Sequence, residues 1–165
     1  MTEDEVDRVV AGWAAARPDL DLAPMAVLSR ITRLARHLDR RRREAFAAHD
    51  LEPWEFDVLA ALRRAGSPYR LSPGALLTET GVTSGTMTNR VDRLTARGLV
   101  KRSNHPQDRR GVLVTLTPEG LRRVDAAVAS LLDAERTMLG DMPAADSDQL
   151  AALLRTVTLR VVSGN

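Results

Sequence analysis

No cysteine occurs among the 165 residues, which removes disulfide frameworks, thiolate zinc sites, iron–sulfur ligation and cysteine nucleophiles in one step. Aromatic residues amount to only 3% of the chain and supply few flat binding platforms, while Ala, Leu, Val and Arg dominate and point to a mostly α fold. Long apolar runs are missing too. The opening MTEDEVDRVV is acidic where a secretory leader is basic, so neither a signal nor a membrane span is expected, and the expectation is a soluble cytoplasmic protein. The three histidines, His37, His49 and His105, are far apart. None sits in HExxH, and there is no P-loop, dinucleotide GxGxxG or nucleophile elbow, so neither an enzyme nor a metal or cofactor site is expected.

What is present is a local excess of positive charge. The net charge of +2 conceals residues 89 to 110, where Arg90, Arg93, Arg97, Lys101, Arg102, Arg109 and Arg110 face only Asp92 and Asp108. A concentrated basic patch on a near-neutral protein suits phosphate-backbone binding, because neutralised phosphates release counterions. A protein-interaction module has no need of such a patch and is the alternative of a different class. Steep salt dependence of duplex binding separates the two.

The apolar period places the elements. Val6, Val9, Val10 and Trp13 form a short helical stripe over residues 4 to 16 that Pro18, Asp19 and Asp21 end. Met25, Leu28, Ile31, Ala35 and Leu38 mark a long amphipathic helix from Leu22 to about Ala48. Its far end carries Arg40 to Arg43, which read as a solvated face or as auxiliary phosphate contacts. Pro53 suits the first turn of a third helix, with Trp54, Val58, Leu59 and Leu62 inward, stopped at Gly66, Ser67 and Pro68. Ser72 and Pro73 offer an N-cap and N1 pair for a short helix ending at Gly81. Thr83 caps the next, over Ser84 to Arg97, with Val91 and Leu94 inward and Gly98 turning the chain. Two helices joined by so short a glycine-containing turn are a helix-turn-helix signature.

After Gly98 the period shortens. Leu99 to Ser103 and Val112 to Leu116 read as the strands of a β-hairpin whose tip, Asn104 to Gly111, is polar and basic. Thr117-Pro118-Glu119 opens a helix running to about Leu139. A last helix follows Pro143 with Leu150, Leu153, Leu154, Val157 and Val161 as its stripe. The fold class is therefore mostly α with a small β-hairpin wing. The division is into N-terminal helices at 1–50, a winged helix-turn-helix lobe at 51–117 and C-terminal helices at 118–165.

A helix-turn-helix followed at once by a basic hairpin has two reading heads, a helix for the major groove and a loop for the minor groove or backbone. The second helix presents Ser84, Thr86, Thr88, Asn89, Arg90 and Arg93. Arg binds guanine bidentately, Asn reads adenine, and hydroxyls serve base or phosphate. At the tip, Asp108 and Arg110 flank Arg109, and an Asp beside an Arg holds the guanidinium extended for a narrow minor groove. Either Arg109 or Arg110 is the residue that enters.

Ser84-Gly85-Thr86-Met87-Thr88-Asn89-Arg90-Val91-Asp92-Arg93-Leu94, Arg97-Gly98-Leu99-Val100, Asp108-Arg109-Arg110 and Leu116-Thr117-Pro118-Glu119-Gly120 together resemble the MarR family of bacterial regulators, from Leu22 to Val161. The resemblance implies a homodimer built from the terminal helices, with two winged lobes on a pseudo-palindromic operator and Arg110 favoured as the wing residue. The unpartnered apolar stripes of those helices agree with it.

Within the family the chain resembles the urate-responsive, PecS- and HucR-like branch through the extra N-terminal helix with Trp13, through Asp57 and Arg64, and through Arg102. That likeness implies a ligand-released repressor whose effector is urate or a related purine. Trp13 would cover a planar ring, Arg64 and Arg102 would neutralise an anion, and Asp57 would accept a ring N–H or be repelled. A phenolic or aromatic carboxylate is the alternative effector.

Overall fold

A computed structural model describes residues 3–105 and 108–163, without the side chains of residues 105 and 108–110. Among the described residues seven helices and three strands follow in the order α1 (Glu5–Ala16), α2 (Ala23–Ala47), α3 (Pro53–Arg64), β1 (Arg70–Leu71), α4 (Pro73–Thr80), α5 (Ser84–Ala96), β2 (Val100–His105), β3 (Asp108–Leu116), α6 (Pro118–Leu139) and α7 (Ala144–Ser163). The fold is the expected one, mostly helical with a small antiparallel wing.

Local chemistry sets the helix ends. The Asp4 carboxylate accepts the backbone N–H of Val6 and Asp7 at 2.7 and 3.0 Å, and Asp7 reciprocates on the Asp4 N–H at 2.9 Å, closing a capping box. Thr83 accepts from the Thr86 N–H, Ser72 from that of Ala75 and Thr117 from that of Gly120. Gly81 ends α4 at φ +66°, a conformation that needs glycine's missing Cβ. Arg30 of α2 brackets Asp4 and Asp7 at 2.8 and 2.6 Å, fastening α1 to α2 over the buried Val6.

The core is one continuous cluster running from Ala45 to Leu131. Phe46 of α2 stacks on Phe56 of α3 at 4.0 Å between ring centroids. Leu59 and Leu62 of α3 meet Leu76 of α4, Met87, Val91 and Leu94 of α5, and Val124 and Ala127 of α6, all essentially without solvent exposure. Each buried leucine there contributes about 2 kcal/mol from apolar area alone. Trp54, expected inward with Val58, Leu59 and Leu62, is only partly buried at the cluster's edge.

The sheet has the order β1-β3-β2, with β2 and β3 pairing from Val100 against Leu116 outward to Asn104 against Val112. The two-residue strand β1 pairs Arg70 with Thr115 and Leu71 with Val114, and was not expected, because so short a strand has no period of its own. The β3–α6 junction is tight. Thr117 donates its N–H and hydroxyl to the Leu99 carbonyl, both at 3.1 Å, and its hydroxyl also reaches the Gly98 carbonyl at 2.7 Å. In contrast, α7 buries none of its described side chains.

Candidate nucleic-acid interface

Helix α5 is held by Met87, Val91 and Leu94 on its buried face, so the residues between them point outward. Ser84, Thr86, Thr88, Asn89 and Arg93 are exposed and Arg90 is half-buried. Two of the hydroxyls are already engaged, Thr86 with Thr83 at 2.9 Å and Thr88 with the Ser84 carbonyl at 3.1 Å. That leaves Asn89, Arg90 and Arg93 as the long-reach polar groups of the face.

Two of the basic residues counted in the patch serve the fold instead. Arg97 turns inward, giving one guanidinium nitrogen to Glu55 at 2.5 Å and another to the carbonyl and carboxylate of Asp50 at 2.7 and 2.5 Å. Glu55 is the buried carboxylate of the lobe at 1% exposure, and it also caps α3 by accepting the Glu52 N–H at 2.9 Å. Asp50, in the left-handed region at φ +54°, reaches on to Arg123 of α6 at 2.7 Å. The hydrogen bond from Arg123, reinforced by the Arg97 charge, holds the Asp50 carboxyl below the usual carboxylate range. Arg102 of β2 pairs with Asp92 of α5 at 2.6 Å and reaches the Thr88 carbonyl at 3.4 Å, tying wing to helix. Arg90 and Lys101 form no ion pair among the described residues.

The wing tip residues Asp108, Arg109 and Arg110 start β3, but their side chains lie outside the described residues. Of the tetrad Arg40–Arg43, Arg42 is half-buried and the other three are exposed. Arg40 meets His37, Arg41 pairs with Glu44, Arg43 with Asp39, and Arg42 lies over the Phe46 ring.

Of the four residues assigned to effector binding, Trp13 stands on α1, Asp57 and Arg64 on α3 and Arg102 on β2. Trp13 is 47% exposed in the last turn of α1, and Asp57 is exposed on α3. Arg64 pairs with Glu79 of α4 at 3.2 Å, beside a shallow cavity of about 220 Å³ that also involves Ala61, Ala65 and Leu71. No hydrogen bond or ion pair among the described residues joins any two of the four. A larger apolar groove of about 650 Å³ runs between α1, α2 and α7, with Val27, Ile31, Leu34, Leu150, Leu153 and Leu154 on its walls.

Sequence reasoning missed Trp54. Its indole N–H bonds Glu52, and its ring lies beneath the guanidinium carbons of Arg93 and Arg90, at 4.6 and 5.6 Å from the centroid. The one local signal was the neighbouring Glu52, an acceptor two residues back that draws the indole edge out of the core.

A capped recognition helix, a preceding short helix and a β-hairpin packed on one core define a winged helix-turn-helix regulator. A model described as the MarR family matches residues 49–111, and the HTH-type transcriptional regulator PecS of Dickeya dadantii (strain 3937) is 35% identical over 159 residues, 96% of each chain. The chain belongs to the MarR family, and like its named relatives it is a transcriptional regulator rather than an enzyme. The crystal structure of a cysteine-to-serine mutant of MarR from E. coli, complexed with operator DNA, superposes with a TM-score of 0.67 at 28% identity, covering 84% of this chain and 99% of that one. A structure of Bordetella bronchiseptica BpsR, described for regulation of its DNA binding by 6-hydroxynicotinic acid, has a TM-score of 0.59 at 30% identity, covering 78% and 98%.

Proposed function

We propose that the chain is a homodimeric repressor that lays α5 of each protomer in the major groove of a pseudo-palindromic operator and is released by urate or a related purine. The observation that carries the DNA reading is the face of α5, where Asn89, Arg90 and Arg93 project from a helix fixed by three buried apolar residues and flanked by the wing. The likeness to the operator-bound E. coli protein supports it. Residues 51–117 form the DNA-contacting lobe, with the wing residues Asp108, Arg109 and Arg110 in or beside the minor groove.

Dimerisation uses 1–50 and 118–165. Leu153, Leu159, Val161 and Val162 of α7 are each more than half exposed, and Val128 and Leu132 of α6 are exposed as well, more apolar surface than a monomer leaves in water. A two-fold dimer covers such a face with its own copy and sets the two α5 helices roughly 34 Å apart, one turn of duplex.

The effector site gathers Trp13, Asp57, Arg64 and Arg102. The extended likeness to PecS, which reaches through α1, supports a pocket that includes Trp13. A heteroaromatic acid is the second reading, favoured by the 6-hydroxynicotinic acid named for the BpsR relative.

Gel shifts on the chain's own upstream duplex, titrated with urate, xanthine, hypoxanthine, 6-hydroxynicotinate and salicylate, test all three parts. Release at the lowest concentration by a purine supports the proposal, and release by the acids alone transfers the site to the second reading. A chain that stays monomeric at micromolar concentration, or ignores that duplex, overturns it.

A further inference from the structure

We propose that Trp54 is a positioning residue for DNA reading, a fixed aromatic platform that holds Arg90 and Arg93 of α5 extended toward the duplex before it arrives. The inference rests on the reading of α5 as the DNA-contacting helix.

Arg90 and Arg93 are three residues apart and share one helix face. Both guanidinium groups lie over the same indole, at 5.6 and 4.6 Å from its centroid, within cation–π range. The indole is itself anchored. Its N–H bonds the Glu52 carboxylate, Glu52 also reaches Arg93 at 3.5 Å, and the ring's inner edge packs on the core. Trp54 is thus held at its edge by Glu52 and at its base by the core while the arginines lie over its ring.

The same indole walls a cleft of about 440 Å³ whose other sides are Gly85, Thr86, Asn89, Arg90 and Arg93. Gly85 leaves its side open, since a Cβ there would meet nothing within 4 Å. The residues with base-reading chemistry and the indole thus line one concavity. An arginine free in water loses its rotamer freedom when it binds, and one already stacked has lost part of it beforehand. A guanidinium has five N–H donors, so with its carbon over the ring, and in Arg93 one nitrogen on Glu52, others remain for guanine or phosphate.

The test uses the full-length protein and compares W54L, W54F, R90A, R93A and W54L/R93A by operator affinity over a salt series, with thermal melting beside each. Two long side chains that must then order on binding rather than beforehand predict that W54L binds about 5- to 30-fold more weakly, while W54F, which keeps an aromatic face, stays within about threefold. In the R93A background W54L should cost distinctly less than alone, since one of the two clients is gone. The salt slope of W54L should also be shallower, which a loss of packing does not cause.

Unchanged or raised affinity in W54L, or full additivity with R93A, overturns the assignment. If R90A and R93A bind the operator like the wild type, the α5 reading falls and this inference falls with it. If they weaken binding and W54L does not, only the role of Trp54 is refuted. Should W54L fail to fold, the emission difference between wild type and W54F decides the matter. Emission from Trp54 must change when operator duplex is added, and an unresponsive Trp54 overturns the proposal.

Discussion

Gly120→Ala is expected to be among the most damaging single-methyl additions in the protein. A Cβ at Gly120 would stand 2.0 Å from the Leu99 carbonyl oxygen, 3.0 Å from its carbon and 3.3 Å from Cδ2 of Leu116. Relief requires that oxygen to move by more than an ångström, and it is backbone, locked by two 3.1 Å hydrogen bonds from Thr117. Losing those two bonds costs about 2 kcal/mol and the overpacking about 1–3 kcal/mol more. For a domain of this size the sum lowers the melting temperature by roughly 6–20 °C. Differential scanning calorimetry of G120A against G12A supplies an internal control. Gly12 lies inside α1 with nothing within 4 Å of a Cβ, so the same substitution there stabilises by up to about 1 kcal/mol through helix propensity. A G120A protein melting within about 2 °C of the wild type refutes the reasoning.

Arg97→Ala leaves the Glu55 carboxylate at 1% exposure with only the Glu52 N–H, and because Arg97 is itself 32% exposed the expected loss is about 2 kcal/mol rather than the 3–5 of a fully buried pair. Urea unfolding measures it, and restoration of most of the loss in an E55Q/R97A double variant confirms that the unpaired charge is the cause. Arg90→Ala should weaken operator binding by about 1–3 kcal/mol and relax preference at one base position in a binding-site selection. The depressed Asp50 titration makes a stabilising contribution that is present above the usual carboxylate range and is lost as pH falls through the lower folded value. Asp50→Asn should therefore flatten the acid limb of the stability profile, as read by circular dichroism melts from pH 6 downward.

The elements that were legible from sequence are those whose signals are local. Thr83, Ser72 and Thr117 act as caps within three residues of their acceptors, and Gly81 and Gly98 stop helices by their own backbone preference, so the predicted helix limits fall within a residue or two of the observed ones. Illegible features depend on partners distant in the chain. Arg97 counted as a DNA cation until its partners proved to be Asp50 and Glu55, forty-odd residues earlier, and β1 exists only because β3 lies beside it. Trp54 was assigned inward by apolar period alone, and its true setting depends on Arg90 and Arg93 on another helix. Charge counts along a sequence therefore overstate a basic patch wherever acids from elsewhere fold onto it.

The Arg102–Asp92 tie sets a cost that an effector must meet if it recruits Arg102. The pair is 2.6 Å long, but its side chains are 39% and 57% exposed, so breaking it costs at most about 1 kcal/mol per protomer. Moving a 1:99 equilibrium to 99:1 needs about 5.5 kcal/mol. Two copies of the tie in a dimer add a cost of about 2 kcal/mol at most to that requirement. In the proposed site both amounts are met by the contacts the ligand makes with Arg102 itself and with Trp13, Asp57 and Arg64. Arg102→Ala should accordingly raise the urate concentration for half-release of DNA by about 5- to 30-fold while leaving release complete at saturation. A midpoint equal to the wild type's would remove Arg102 from the effector site, since no other role proposed for it predicts a response that survives its loss unchanged.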